Sequence, residues 1–176
     1  MTVKMERLSN SYEELQKAAK RELENFSLKT GEKVIAYFSE FPSIAGFPFK
    51  IVLVENAEGA IYSSFRQWDT EYDFTRWSNG IYNLDRLRII TDRKFLSPSD
   101  TTCVKIWLMD MWRIELPETL QNDKAIVLDG ADWTFGFHSD NLEVEYKWRA
   151  ANADIELFVP WIELMKAQHV GINRRE

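Results

Sequence analysis

From Ala125 to Ala167 the chain first alternates and then turns helical. An apolar run, Ala125-Ile126-Val127-Leu128, precedes Asp129-Gly130, a pair that supplies the positive φ of a tight hairpin turn. Trp133 to His138 predicts a second strand, ended by the polar turn Ser139-Asp140-Asn141. In a third strand, Leu142 to Trp148, Leu142, Val144, Tyr146 and Trp148 share one face, while Glu143, Glu145, Lys147 and Arg149 share the other. This period of two marks a strand with one buried and one wet face. Beyond Asn152 the period becomes helical, with Ile155, Phe158, Val159, Ile162 and Met165 on one side. The pattern predicts a meander over 124–149 closed by an amphipathic helix over 153–168.

The N-terminal half has the same grammar. Ser11 and Glu14 match a capping box, and Tyr12, Leu15, Ala19, Leu23 and Phe26 follow at helical spacing, which predicts a helix over 11–26. Lys17, Lys20 and Arg21 occupy its wet side, and Gly31 ends the segment. Three strands, Val34–Ser39, Phe49–Val54 and Ala60–Phe65, then form a meander over 33–66. The apolar run at Ile51–Val54 predicts a central strand covered on both faces. Between the meanders, residues 67–96 hold a turn signal at Asn79-Gly80, and a strand is expected between Asn83 and Thr91. Ser97 as cap, Pro98 at the first helical position and Asp100 in the first turn start a helix over 98–113. Val104, Trp107, Leu108 and Met111 line one face, widened by Cys103, Ile106 and Trp112, so burial over much of its circumference is expected. Pro117 stops it.

The predicted class is α+β: a single domain over 1–176, with a mainly antiparallel sheet of six or seven strands from two meanders, packed by about three helices. A chain of 176 residues can bury roughly 70% of its unfolded surface, so a core without staples is feasible. The single Cys103 excludes an internal disulfide and a multi-cysteine metal site. No apolar run approaches a membrane span, and the first residues lack the apolar stretch of a signal peptide. A cytoplasmic protein is expected. The formal charge of −6 argues against a nucleic-acid binder and is compatible with a basic protein partner.

Candidate chemistry is sparse. There is no phosphate-binding glycine loop, G-x-S-x-G or H-E-x-x-H, and no cofactor or metal is expected. Read as a strand, Trp68-Asp69-Thr70-Glu71-Tyr72-Asp73-Phe74 puts Trp68, Thr70, Tyr72 and Phe74 on one face and Asp69, Glu71 and Asp73 on the other. Such a face is an aromatic and acidic contact surface, a hard-cation site, or an edge strand whose charges simply face water. Asp129-Gly130-Ala131-Asp132 offers a carboxylate pair, although a hairpin turn accounts for it equally. His138 lies beside a turn, His169 falls in an expected frayed tail, and Cys103 reads as a small core residue. The aromatic content of 14% leaves Phe41, Phe47, Trp68, Trp77 and Trp133 to cap a core or line a pocket. Were a pocket present, Arg76, Trp77, Asp132, Trp133 and His138 would be expected to converge in it.

A further indication lies in the order of motifs over residues 97–166. A Ser-capped helix leads to Ile114-Glu115-Leu116-Pro117, then to Leu128-Asp129-Gly130-Ala131-Asp132-Trp133, then to an alternating strand with Tyr146 and Trp148 and a closing helix. This order resembles small uncharacterised bacterial proteins, among them immunity proteins that neutralise polymorphic toxins. The resemblance implies a non-catalytic protein that acts by binding and carries over no functional residue. Three readings therefore stand: a protein-binding module acting through Trp68, Asp69, Glu71, Tyr72, Asp73 and Phe74, a small-molecule-binding domain or enzyme with an aromatic-lined pocket, or a structural subunit whose exposed Trp residues are buried in a homo-oligomer.

Overall fold

A computed structural model describes residues 2–42, 46–81, 84–111, 131–139, 142–149 and 158–169, the side chains of residues 2–11, 85, 111, 139, 142 and 149 excepted. At its centre is an antiparallel sheet of β1 (Lys33–Pro42), β2 (Phe49–Glu55), β3 (Ile61–Trp68), β4 (Ile89–Phe95), β5 (Ala131–Ser139) and β6 (Leu142–Arg149). The order is β4-β3-β2-β1-β5-β6, so the two expected meanders share one sheet. Their seam is the β1–β5 pairing, which runs from Ala36 opposite Phe137 to Pro42 opposite Ala131. Among the described residues four α-helices accompany the sheet: α1 (Thr2–Glu24), α2 (Thr70–Ser78), α3 (Pro98–Met111) and α4 (Val159–Ala167). This is the predicted α+β class with one helix more than expected. None of these helices is long and apolar enough to cross a membrane.

Side-chain alternation assigns each residue to one of two covered faces. On the first, Phe38, Ile51, Phe65, Phe135 and Trp148 meet Val104 of α3 and Trp161 and Met165 of α4. Phe158, just before α4, stacks on Phe135 with ring centroids 4.7 Å apart. On the second, Leu15, Ala19 and Leu23 of α1 enclose Trp68, and Tyr37, Val52, Val54 and Tyr62 form a neighbouring cluster. In β2 the residues Ile51, Val52, Leu53 and Val54 are all buried, as a central strand with helices on both sides requires. A bulge between Val34 and Ala36 turns both Ile35 and Ala36 toward the first face.

Several local expectations are corrected. α1 begins well before residue 11, so Ser11 is inside the helix and not its cap, and the helix ends at Glu24, short of Phe26. Residues 68–74 are not a strand: β3 stops at Trp68 and α2 begins at Thr70. β4 occupies Ile89–Phe95 and not Asn83–Thr91, preceded by a 3-10 turn at Leu84–Arg86. α3 is less buried than expected. Val104 is buried and Trp107 and Leu108 half-buried, but Cys103, Ile106 and Met109 face out, because the sheet meets only one side of the helix. The expected strand at 125–128, the turns at Asp129-Gly130 and Asp140-Asn141, and residues 112–113 and 153–157 of the predicted helices lie outside the described residues.

Candidate functional site

The helix that replaces the expected strand at 68–74 starts for a local reason. Asp69 caps it, accepting a hydrogen bond from the Tyr72 N–H at 3.1 Å, and Glu71 and Asp73 fall in the first turn, where negative charge suits the helix dipole. Helical spacing then divides the six candidate residues. Trp68 and Asp73 turn inward: the indole Nε1–H donates to Asp73 Oδ2 at 2.9 Å, and both residues are buried. The same Asp73 oxygen accepts the Arg88 backbone N–H at 2.8 Å, and Arg76 Nη1 lies 3.5 Å from the other oxygen. Phe74 packs among Tyr12, Trp68 and Trp77. Only Glu71 and Tyr72 are exposed, with Asp69 at the rim, paired to Arg88 at 3.3 Å. The three carboxylates therefore do not share a face, and among the described residues no group of His, Cys, Asp and Glu could hold a metal ion.

Tyr72 is exposed but held. The Arg88 guanidinium lies 4.6 Å from its ring centroid and that of Arg76 lies 5.6 Å away. Arg88 is anchored on Asp69, while Arg76 is anchored on Asp73 and on the Arg86 carbonyl at 3.1 Å. The surface is thus an aromatic ring between two fixed cations whose counter-charges sit beneath them. It is not the acidic face expected from alternation.

The residues expected to converge in a pocket do not. Arg76 and Trp77 belong to α2, which follows β3, on the side of the sheet away from β5. Trp133 packs on the first face against Phe38 and Trp148. Asp132 and His138 lie on the opposite face of β5, and of the five only Asp132 lines the cleft described next.

That cleft, with a volume of about 80 Å³, opens between α1 and the β2–β1–β5–β6 side of the sheet. Tyr37 of β1, Gly136 of β5 and Glu145 of β6 are aligned across three strands. A Cβ at Gly136 would overlap the Tyr37 ring, so glycine is what lets the ring lie across β5. The phenol then donates to Glu145 at 2.5 Å, and Lys147 pairs with the same carboxylate. Burial and the Glu145 carboxylate raise the Tyr37 pKa well above its ordinary value, while Lys147 and Tyr37 hold that of Glu145 below its own. Lys50 reaches the cleft from β2 and rests over the Tyr37 ring, 4.8 Å from the centroid; burial lowers its pKa. Nothing in the local sequence marks this group, since it is assembled from four elements, although a lysine interrupting an apolar central strand was a visible anomaly.

His169, far from fraying, is buried at 6% exposure. Its Nε2 lies 2.7 Å from Ser63 Oγ and its Nδ1 lies 3.0 Å from Asp92 Oδ2. The Asp92 carboxylate can only accept, so the proton sits on Nδ1 and Ser63 donates to Nε2. Burial lowers the His169 pKa despite Asp92, and the imidazole holds Asp92 below the usual carboxylate range despite partial burial. The order serine, histidine, aspartate is that of an activated nucleophile. Ser63, however, is 0% exposed, and Phe65 stacks on the imidazole at 5.1 Å. The trio joins the end of α4 to β3 and β4. No family model, no curated protein and no solved structure matches the chain.

Proposed function

We propose that the protein is a non-catalytic protein-binding module, in the manner of the immunity proteins its last third resembles, with a docking surface centred on Tyr72. The observation that carries this reading is the clamp on Tyr72: the residue is 42% exposed, yet its ring is held by two anchored guanidinium groups. A ring already fixed loses little freedom on docking. Tyrosine beside arginine is also the composition of interface hot spots. The net charge of −6 favours a basic partner through long-range steering, to which the exposed Glu71 contributes locally.

The test starts with the tagged protein as bait in its own host, followed by titration of the recovered partner against variants. Tyr72→Ala is expected to weaken binding by about 2 kcal/mol, roughly 30-fold. Glu71→Lys is expected to slow association and flatten its salt dependence. Asp69 and Asp73 are unsuitable for charge reversal because they hold the local fold. A partner retained by Tyr72→Ala at unchanged affinity would move the interface elsewhere.

A second reading, hydrolysis through Ser63, is favoured by the order of Ser63, His169 and Asp92. A fluorophosphonate probe on the native protein separates the two. Burial of Ser63 predicts no adduct, whereas a stoichiometric adduct that disappears in His169→Ala would establish an enzyme.

A further inference from the structure

Two ammonium groups, those of Lys20 and Lys50, line the cleft under α1. Lys50 stands on a central strand between Ser39 of β1 and Arg66 of β3, and Lys20 projects from α1. Each rests on an aromatic ring, Lys50 over Tyr37 at 4.8 Å and Lys20 over Phe41 at 5.9 Å, and neither forms an ion pair among the described residues. For the partly buried Lys50, cation–π contact replaces only part of the hydration given up, while Lys20 is exposed at the rim. Of the two carboxylates that act on Lys50, Glu24 forms no ion pair with it among the described residues, and Glu145 is already occupied by the Tyr37 hydroxyl and by Lys147. The hydroxyls of Ser39 and Thr134 line the same space.

We infer that this cleft is a binding site for a small carboxylate, held between the ammonium groups of Lys20 and Lys50 with hydroxyl donors at its side. The charge balance selects the class of anion. Glu24, Asp132 and Glu145 border the cleft and oppose a second negative charge, so a monoanionic carboxylate fits where a phosphate dianion does not. The volume of about 80 Å³ holds a small head group or an amino acid and excludes a drug-sized ligand. An amino acid would additionally offer its ammonium to Glu24. The site lies on the face of the sheet covered by α1 and is independent of the Tyr72 surface.

The test is a titration of the full chain, labelled at lysine Cε, followed by NMR with acetate, glycine and inorganic phosphate against a sodium chloride control of matched ionic strength. Saturable shifts of the Lys50 and Lys20 signals are expected with acetate and with glycine, and weaker ones with phosphate. Lys50→Met should abolish the acetate response. Lys20→Met, on an exposed helix position that leaves the fold intact, should weaken it about tenfold. Shifts no larger than those from chloride, or a response unchanged in Lys20→Met, would overturn the site. Tighter binding of phosphate than of acetate would overturn the carboxylate assignment.

Discussion

The two faces of the sheet are covered in opposite ways. The face under α3 and α4 is closed by aromatic stacking: Phe135 lies against Phe158, Trp161 packs edge-on to Phe135, and Trp107 packs against Trp161. The face under α1 is apolar toward β3, where Leu15, Ala19 and Leu23 meet Trp68, and along β2, where Val52 and Val54 pack with Tyr62. Toward β5 and β6 it carries Lys50, Tyr37, Glu145 and Lys147 in mutual contact. α1, joined by Phe74 of α2 at Trp68, covers the β3 end of this face, and the cleft opens toward β5 and β6. The denser aromatic packing on the first face predicts that it carries the larger share of the stability, while the second face keeps charge and an opening.

That contrast can be broken at either face. Phe135→Ala removes a fully buried ring from the sealed side and should lower stability by about 3–5 kcal/mol, read from chemical denaturation. Gly136→Ala, one residue along the same strand but directed at the other face, displaces the Tyr37 ring and its bond to Glu145. A loss of about 1–3 kcal/mol is expected, together with a fall in the Tyr37 phenol pKa toward its ordinary value, visible in ultraviolet titration. A Gly136→Ala protein as impaired as Phe135→Ala would erase the proposed asymmetry.

The smallest effect concerns pH. His169 has a folded-state pKa below its ordinary value near 6.5, so the folded protein disfavours the imidazolium. Stability from the neutral ring is complete above that value and falls as pH drops through the depressed pKa, by at most about 1.4 kcal/mol per pH unit. Asp92 and Lys94 are the charged groups that face it, and Asp92, itself lowered, extends the loss to more acid pH. Thermal unfolding between pH 7 and pH 5 should show this slope in the native chain and a flatter one in His169→Gln. Equal slopes would mean that the trio of Ser63, His169 and Asp92 does not bear on stability.

Most of the strands were legible because burial on a pleated sheet imposes its period directly on the residues, as in Leu142 to Trp148. The segment from Trp68 to Phe74 shows where that fails. Its residues alternate with period two, but the capping Asp69 and the acids one turn later are helix-start signals, and the hydrogen bonds they supply prevailed over the alternation. The cleft and the buried trio were illegible for another reason. Ser63 and His169 are 106 positions apart and His169 and Asp92 are 77 apart, so their contact depends on strand order, which no local pattern encodes. Around Tyr72 the acids and aromatics are visible in the sequence, but the placing of Arg88 and Arg76 near its ring is not.

The β1–β5 seam has a consequence for synthesis on the ribosome. Ala36 waits for Phe137, about a hundred residues later, which at roughly 5–20 residues per second is about 5–20 s of elongation. During that interval β1 to β4 can pair, but the outer edge of β1, rich in Phe38, Tyr37 and Phe41, has no neighbour. The nascent N-terminal half therefore passes through a stage with an open, aromatic strand edge. That stage is where shielding by a chaperone would do most to keep the chain from aggregating.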